Sequence, residues 1–131
     1  MHNRRTLFHL AIAILVLVSA ACTCALPFAD SGPSLVGTWE GTYDGDTITM
    51  TFEDDGNFVF EIDGTVTSSG RYVVDMSTTP IQFDIFPDSS GPISTIIEFI
   101  DEDTLKMENN YEGQPRPATF SDTATFHRVN P

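Results

Sequence analysis

The chain is poor in the residues that most enzyme and metal sites require. Its two cysteines, Cys22 and Cys24, both lie near the N-terminus, so residues 35–131 offer no disulfide, thiol nucleophile or thiolate metal ligand. Beyond an N-terminal leader the single histidine is His127, which excludes a multi-histidine metal site within one subunit. We therefore expect no metal, no cofactor and no catalytic residue.

Basic residues are also scarce. The chain has 6 Lys and Arg against 19 Asp and Glu, and Arg4 and Arg5 fall in the leader. The remainder keeps four basic and all 19 acidic residues, a formal charge of −15. Binding to nucleic acid or to anionic lipid needs a cationic face, so this charge argues against both. Two interpretations stay open: an acidic solvated surface, or a surface for cations or a basic partner.

Long apolar runs are missing except near the N-terminus. A basic start at residues 2–5 precedes an apolar run from Leu7 to Val18, and small residues follow at positions 19–22. This order is typical of a secretory signal, and the run is shorter than the ~20 residues of a membrane-spanning helix. An uncleaved membrane anchor is the alternative. The sequence predicts a signal helix within residues 1–22 and an exported protein of the cell envelope, the periplasm or the extracellular space.

The end of the leader contains a candidate lipidation site at Cys22. The run Ser19-Ala20-Ala21-Cys22 resembles a bacterial lipoprotein cleavage box, in which the cysteine becomes the lipidated N-terminus, although Ser19 stands where an aliphatic residue is usual. Cleavage after Ala25 by an ordinary signal peptidase is the alternative. Lipidation would tether the protein to a membrane without a spanning helix. Residues 23–34, which contain Pro27, Gly32 and Pro33, are typical of a flexible linker.

Residues 35–131 alternate apolar and polar side chains over short segments, and no helical periodicity occurs there. Thr47–Phe52 sets threonines against Ile48, Met50 and Phe52, a period of two that predicts a strand with one dry face. The segments that follow predict an all-β fold, an antiparallel up-and-down meander of about eight strands closing into a barrel, with the last strand at Ala118–Val129. Gly70 predicts a bulge or a bend in its strand.

The first strand carries a recognisable motif. Gly37-Thr38-Trp39 resembles the Gly-x-Trp signature of the lipocalin-like, or calycin, barrels. The resemblance implies that Gly37 and Trp39 help to close one barrel end, and that an arginine near the last strand, here Arg128, lies across the indole ring. Such a stack contributes roughly 0.5–2 kcal/mol.

Four further motifs are similar to a family of short exported bacterial proteins with a lipocalin-like domain, abundant in planctomycetes and of unknown function. They are Ser69–Tyr72, Thr79–Asp84, Asp103–Met107 and Arg116–Phe120. Arg71 before Tyr72 and the more acidic surface depart from the family pattern. The resemblance implies a lipocalin-like β-barrel domain over residues 35–131 and assigns no catalytic residue.

The interior of an eight-stranded barrel holds side chains or one small ligand. Our first hypothesis is a lipid-anchored, non-enzymatic protein that binds a small apolar ligand inside the barrel, below acidic loops that admit neutral or cationic head groups. The expected lining residues are Met50, Phe52, Phe58, Phe60, Tyr72, Phe83, Phe99 and Phe120. The alternative is a solid barrel that acts as an interaction or inhibitor module on an envelope or secreted protein.

Two observations bear on these alternatives. Ile93–Ile100 is apolar on both faces, which predicts either burial on both sides or an exposed patch, and the patch would favour the interaction module. The carboxylate runs Glu53–Asp55 and Asp101–Asp103 fall where hairpin turns are expected. Acid–base catalysis needs carboxyl groups that face one pocket, so we do not expect an enzyme.

Overall fold

The structure is a computed structural model that describes residues 32–129. The described residues from Pro33 onward belong to one compact unit. The predicted signal peptide, Cys22 and residues 23–31 of the linker lie outside the described residues. In the described part the strands are β1 Gly37–Tyr43, β2 Asp46–Phe52, β3 Asn57–Ile62, β4 Thr65–Asp75, β5 Ile81–Pro87, β6 Ile93–Asp101, β7 Thr104–Glu108 and β8 Thr123–Arg128.

Every strand pairs antiparallel with the next, and β8 returns to pair with β1, so the sheet is a closed barrel in meander order. The predicted fold class is confirmed. Three residue pairs form the closing seam, Trp39–Arg128, Glu40–His127 and Gly41–Phe126. Gly41 makes the seam possible, because a Cβ there would collide with the Thr125 carbonyl and the Phe126 ring.

Alternation along the strands separates the core from the outer surface. In β2, Ile48, Met50 and Phe52 are buried while the threonines between them are half-buried. Burying one such apolar side chain stabilises the fold by about 1.5–3 kcal/mol. The carboxylate runs at residues 53–55 and 101–103 lie in or beside the β2–β3 and β6–β7 turns, as predicted. Among residues 32–129 no helix has the length and apolar character required to cross a membrane.

Of the bulge or bend predicted at Gly70, the bulge is wrong in its position. The register of the β3–β4 pair shifts between Phe60 and Glu61 instead, whereas Gly70 pairs regularly with Phe58 and Pro87. A Cβ at Gly70 would collide with the Phe86 carbonyl. The glycine therefore serves a close approach of two strands, which a sequence pattern does not distinguish from a bulge.

The predicted start of the last strand at Ala118 is also wrong, since β8 begins at Thr123. Residues 109–122 instead form a loop, which we call the β7–β8 loop, that lies on the outer face of the barrel. Arg116 of this loop is ion-paired with Asp84 at 2.8 Å and donates a hydrogen bond to the Thr95 carbonyl at 2.8 Å. The loop hides part of an apolar outer face that would otherwise meet water.

The outward apolar residues of β6 are buried at one position and exposed at another, and both burial and exposure were expected alternatives for this face. Ile96, whose cross-strand partner is Gln82, is only 2 % exposed although it lies outside the main core cluster. The β7–β8 loop lies here, and Asn110 donates a hydrogen bond to the Ser94 carbonyl at 2.7 Å. Ile100, two outward positions further along, is 54 % exposed. The outward side of β6 is therefore covered at one end and open at the other.

Candidate functional site

One end of the barrel is closed by Trp39. Its side chain is completely buried, and its indole N–H donates a hydrogen bond to the Leu35 carbonyl at 2.9 Å. Leu35, just before β1, is 4 % exposed. The guanidinium carbon of Arg128 lies 4.2 Å from the centroid of the Trp39 ring. The indole is thus enclosed by the chain that enters the barrel and by the last residue of β8.

Arg128 connects the chain before β1 to the β6–β7 turn through hydrogen bonds to carbonyl groups. Its guanidinium donates to Ser34 at 2.7 Å, to Val36 at 2.8 Å and to Glu102 at 3.1 Å. Gly37 provides the space: its φ is +131°, and a Cβ there would lie 2.7 Å from Arg128 Nη1. The three residues that the Gly-x-Trp resemblance singled out therefore meet at one place in the structure.

The interior next to this end is filled by aromatic rings. The Phe52 ring centroid lies 5.0 Å from that of Tyr72 and 5.5 Å from that of Phe83, and the last two are 6.2 Å apart. Met50 and Phe58 are 2 % and 4 % exposed and belong to the same cluster. These expected lining residues contact one another, which is the packing of a core.

Tyr72 adds a polar anchor to this cluster. Its hydroxyl donates a hydrogen bond to the Glu53 carbonyl at 2.7 Å. Burial raises the pKa of Tyr72, and the negative charges of Asp54 and Asp55 in the β2–β3 turn raise it further. The ring is therefore held in one orientation, with its hydroxyl protonated at neutral pH.

The remaining expected lining residues have three different environments. Phe60 packs against the core and is half-buried. Phe99 lies beside Trp39, with ring centroids 6.1 Å apart. The prediction that Phe120 lines the interior is wrong. Phe120 belongs to the β7–β8 loop, and Lys106 Nζ lies 4.2 Å from the centroid of its ring. Because the neighbours of Lys106 in β7, Leu105 and Met107, are in the core, Phe120 lies on the outer face and lines no interior space.

An apolar groove opens beside the Trp39 end, and we call it the Met76 groove. It has a volume of about 270 Å³ and lies between the β4–β5 loop, the end of β6 and the entering chain. The groove is lined by Pro33, Met76, Thr78, Thr79, Pro80, Ile81, Ile97, Glu98 and Phe99. Phe99 is thus the expected lining residue that reaches solvent-accessible space at this end.

Besides the Met76 groove, two depressions with polar side chains in their walls lie on either side of His127. One of about 500 Å³ is bordered by Asp101–Thr104, and the other of about 570 Å³ by Glu40–Thr42. The pKa of Asp101 is lowered, first by a hydrogen bond from the Asp103 backbone N–H. Across the described ranges, no group of three His, Cys, Asp or Glu residues is arranged to hold a metal ion.

Sequence reasoning missed Glu108, which is 4 % exposed although it points away from the core. Its carboxylate accepts hydrogen bonds from the Ser121 backbone N–H at 2.8 Å, the Ser121 hydroxyl at 2.8 Å and the Asp122 backbone N–H at 3.0 Å. Burial alone would raise the pKa of Glu108, but these donors outweigh burial and the pKa lies below its ordinary value. Glu108 therefore fixes the C-terminal part of the β7–β8 loop, as Arg116 fixes its middle.

Comparison of the chain with protein-family models, with curated proteins and with solved structures found no match. The architecture therefore rests on the strand order and pairing described above, an eight-stranded antiparallel closed barrel. Three features bear on function: the barrel end closed by Trp39, the interior filled by aromatic rings, and the Met76 groove, which opens to solvent beside the Trp39 end.

Proposed function

We propose that the protein is an exported, lipocalin-like and non-enzymatic module, held at the cell envelope by a lipid on Cys22, which acts by contact with an envelope or secreted protein. The observation that carries this proposal is the mutual contact of Phe52, Tyr72 and Phe83, at 5.0–6.2 Å between ring centroids. These rings fill the part of the interior next to the Trp39 end, which supports a solid barrel there.

The size of the barrel supports the same proposal. Eight strands enclose an interior just wide enough for side chains or one small ligand. Trp39 and Phe83 are both completely buried, so side chains already take up the middle of the interior and the end at Trp39. A protein of this kind interacts through its loops and grooves, where side chains remain accessible.

The second candidate function, carriage of a small apolar ligand in the barrel, has one observation in its favour. Phe60, Ile62 and Ile85 pack against the core but are only partly buried. Ile62 ends β3, and the β3–β4 turn lies at the opposite end of the barrel from the start of β1. A ligand at that end would displace none of the three rings in mutual contact.

Native mass spectrometry separates the two functions. The mature protein, as recovered from expressing cells, would be measured under native and under denaturing conditions from the same sample, so that a covalent lipid contributes equally to both masses. The interaction module predicts identical masses. A reproducible, stoichiometric extra mass that disappears on denaturation would overturn it in favour of the carrier, and would give the mass of the ligand.

A further inference from the structure

We propose that the Met76 groove is the contact site for the protein partner, and that it receives one apolar side chain carried between positive charges. This inference rests on the proposed function and specifies the chemistry of the partner. The apolar walls come from Pro33, Met76, Pro80, Ile81, Ile97 and Phe99.

The size of the groove selects a side chain over a small molecule. Its volume is about 270 Å³, whereas pockets for drug-sized ligands span about 300–1,000 Å³ and enclose most of the ligand surface. The groove is open on one side, so its occupant can continue into a larger molecule that lies outside the groove. An apolar side chain on a peptide backbone meets both conditions.

Hydrogen bonds within the β4–β5 loop fix one wall of the groove. Thr78 in its wall donates a hydrogen bond from Oγ1 to the Asp75 carbonyl at 3.1 Å and accepts one from the Gln82 N–H at 3.0 Å. The Asp75 carboxylate accepts a hydrogen bond from the Ser77 backbone N–H at 3.0 Å. The β4–β5 loop is therefore fixed, and binding requires little ordering of the chain.

The charge around the groove selects a basic partner. The β2–β3, β4–β5 and β6–β7 turns lie at the same barrel end as the groove, and none of them contains Lys or Arg. Arg128, at the end of β8, also lies at this end and is ion-paired with Asp103 at 3.3 Å, so the carboxylates there are partly balanced but remain in excess. The carboxylates in or beside these turns are Glu53, Asp54, Asp55, Asp75, Asp101, Glu102 and Asp103. Glu98 in the groove wall is half-exposed, and its ion pair with Lys106 is 3.4 Å long. Such a field attracts Lys and Arg and repels carboxylates and phosphates.

Three exposed apolar residues on β4 and β5 do not meet these conditions. Val66, Val73 and Phe86 are 58 %, 55 % and 44 % exposed, but they stand outward on β4 and β5 and line none of the three pockets described above. Among the residues that the structure describes, the Met76 groove combines apolar walls, a fixed loop and an excess of negative over positive charge.

Methionine-methyl NMR tests the inference directly on the full chain. Met76 lines the groove, whereas Met50 and Met107 are 2 % and 9 % exposed in the core and act as internal references. The probe is the capped pentapeptide Lys-Lys-Leu-Lys-Lys, with one control peptide carrying Gly for Leu and another carrying Glu for each Lys. We expect the first peptide alone to shift the Met76 signal saturably, with a Kd on the order of 1 mM.

Two pairs of variants locate the contact. Met76→Lys places a charge in the groove, and Val66→Lys adds the same charge at a similarly exposed position on β4 outside the groove. Glu98→Gln removes the wall carboxylate, and Glu40→Gln removes an exposed carboxylate from β1. With binding followed on the labelled leucine of the peptide, Met76→Lys should weaken binding about tenfold or more, and Val66→Lys far less. Glu98→Gln should weaken it more than Glu40→Gln.

The outcomes distinguish this inference from the proposed function. Equal binding of the Leu and Gly peptides, or equal loss in Met76→Lys and Val66→Lys, would show attraction by charge alone and would overturn the groove as the site. Absence of binding would overturn it too, while identical native and denatured masses would leave the interaction module standing. An extra native mass would overturn the module, whatever the peptides do.

Discussion

At the scale of single residues, Arg128 connects segments that are far apart in the chain. Its guanidinium covers Trp39 and bonds the Ser34 and Val36 carbonyls before β1 and the Glu102 carbonyl in the β6–β7 turn. We expect Arg128→Met to lower the free energy of unfolding by about 3 kcal/mol, because it removes a cation–π contact and several charge-assisted hydrogen bonds. Urea unfolding followed by circular dichroism measures the change.

Arg71 provides the matched control for this prediction. It is exposed on the outer face of β4, so Arg71→Met should change the free energy of unfolding by less than about 0.5 kcal/mol. Equal effects of the two substitutions would mean that the contacts of Arg128 contribute nothing beyond its charge.

Glu108 predicts a pH dependence. Hydrogen bonds from Ser121 and Asp122 outweigh burial and lower the pKa of Glu108 in the folded state. A lowered folded-state pKa means that the stabilisation is fully present above the unfolded-state pKa and is lost as the pH falls through the folded-state pKa. We expect Glu108→Gln to be less stable than the wild type at pH 7, and this difference to shrink as the pH falls below about 4.

Unfolding curves at several pH values between 7 and 3 check this dependence. Glu40→Gln is the surface control, since Glu40 is exposed on β1, and its difference from the wild type should stay small throughout. A Glu108→Gln difference that is constant with pH would contradict the assigned ionisation of Glu108.

The residues at the closed end could be anticipated, but those that hold the β7–β8 loop could not. The Gly-x-Trp resemblance pointed to Gly37, Trp39 and Arg128, and the structure places them together. Alternation along β7 puts Glu108 outward, which from sequence alone predicts exposure. Its burial depends on a loop that returns from residues 121 and 122, and no local periodicity encodes such a return.

At the scale of elements, the β7–β8 loop is fixed to the barrel through Arg116. The Arg116 and Asp84 side chains are 26 % and 24 % exposed, and their ion pair is 2.8 Å long. We expect Arg116→Gln to leave the barrel folded but to loosen the loop, because the uncharged amide keeps neither the ion pair nor the reach to the Thr95 carbonyl. The amides of Ser121 and Asp122 should then exchange with solvent about tenfold faster.

Hydrogen exchange resolved by residue measures this loosening. The amides of β2 and β3 are the internal reference and should keep their rates, and Arg71→Gln is the control for removal of a cation. Faster exchange throughout the barrel would mean that Arg116 contributes to global stability and not to the loop alone.

Strands were more predictable than loops for a physical reason. Apolar side chains at every second position define β2 and β3, and the structure contains both. Phe120 continues the same spacing before Ala124 and Phe126, so the pattern extended the last strand to Ala118. The Phe120 ring contacts Lys106 on the outer face instead, because an aromatic ring can be covered by a neighbouring side chain as well as by a core.

At the scale of the whole molecule, closure of the barrel and net charge act in opposite directions. The meander returns β8 to β1, which removes exposed sheet edges. Residues 23–131 carry four basic and 19 acidic residues, and self-repulsion of this charge destabilises the compact state. Folding therefore brings together an excess of negative charges, and their repulsion opposes the compact state.

Salt tests this balance. Raising NaCl from about 0.01 M to about 1 M shortens the screening length from about 30 Å to about 3 Å, so we expect the midpoint of thermal unfolding to rise by about 5 °C. A variant that neutralises the exposed Asp54, Glu102 and Glu112 should start from a higher midpoint and gain less from salt. If the midpoint falls with salt instead, ion pairs such as Arg116–Asp84 outweigh repulsion, and the acidic surface imposes no cost on folding.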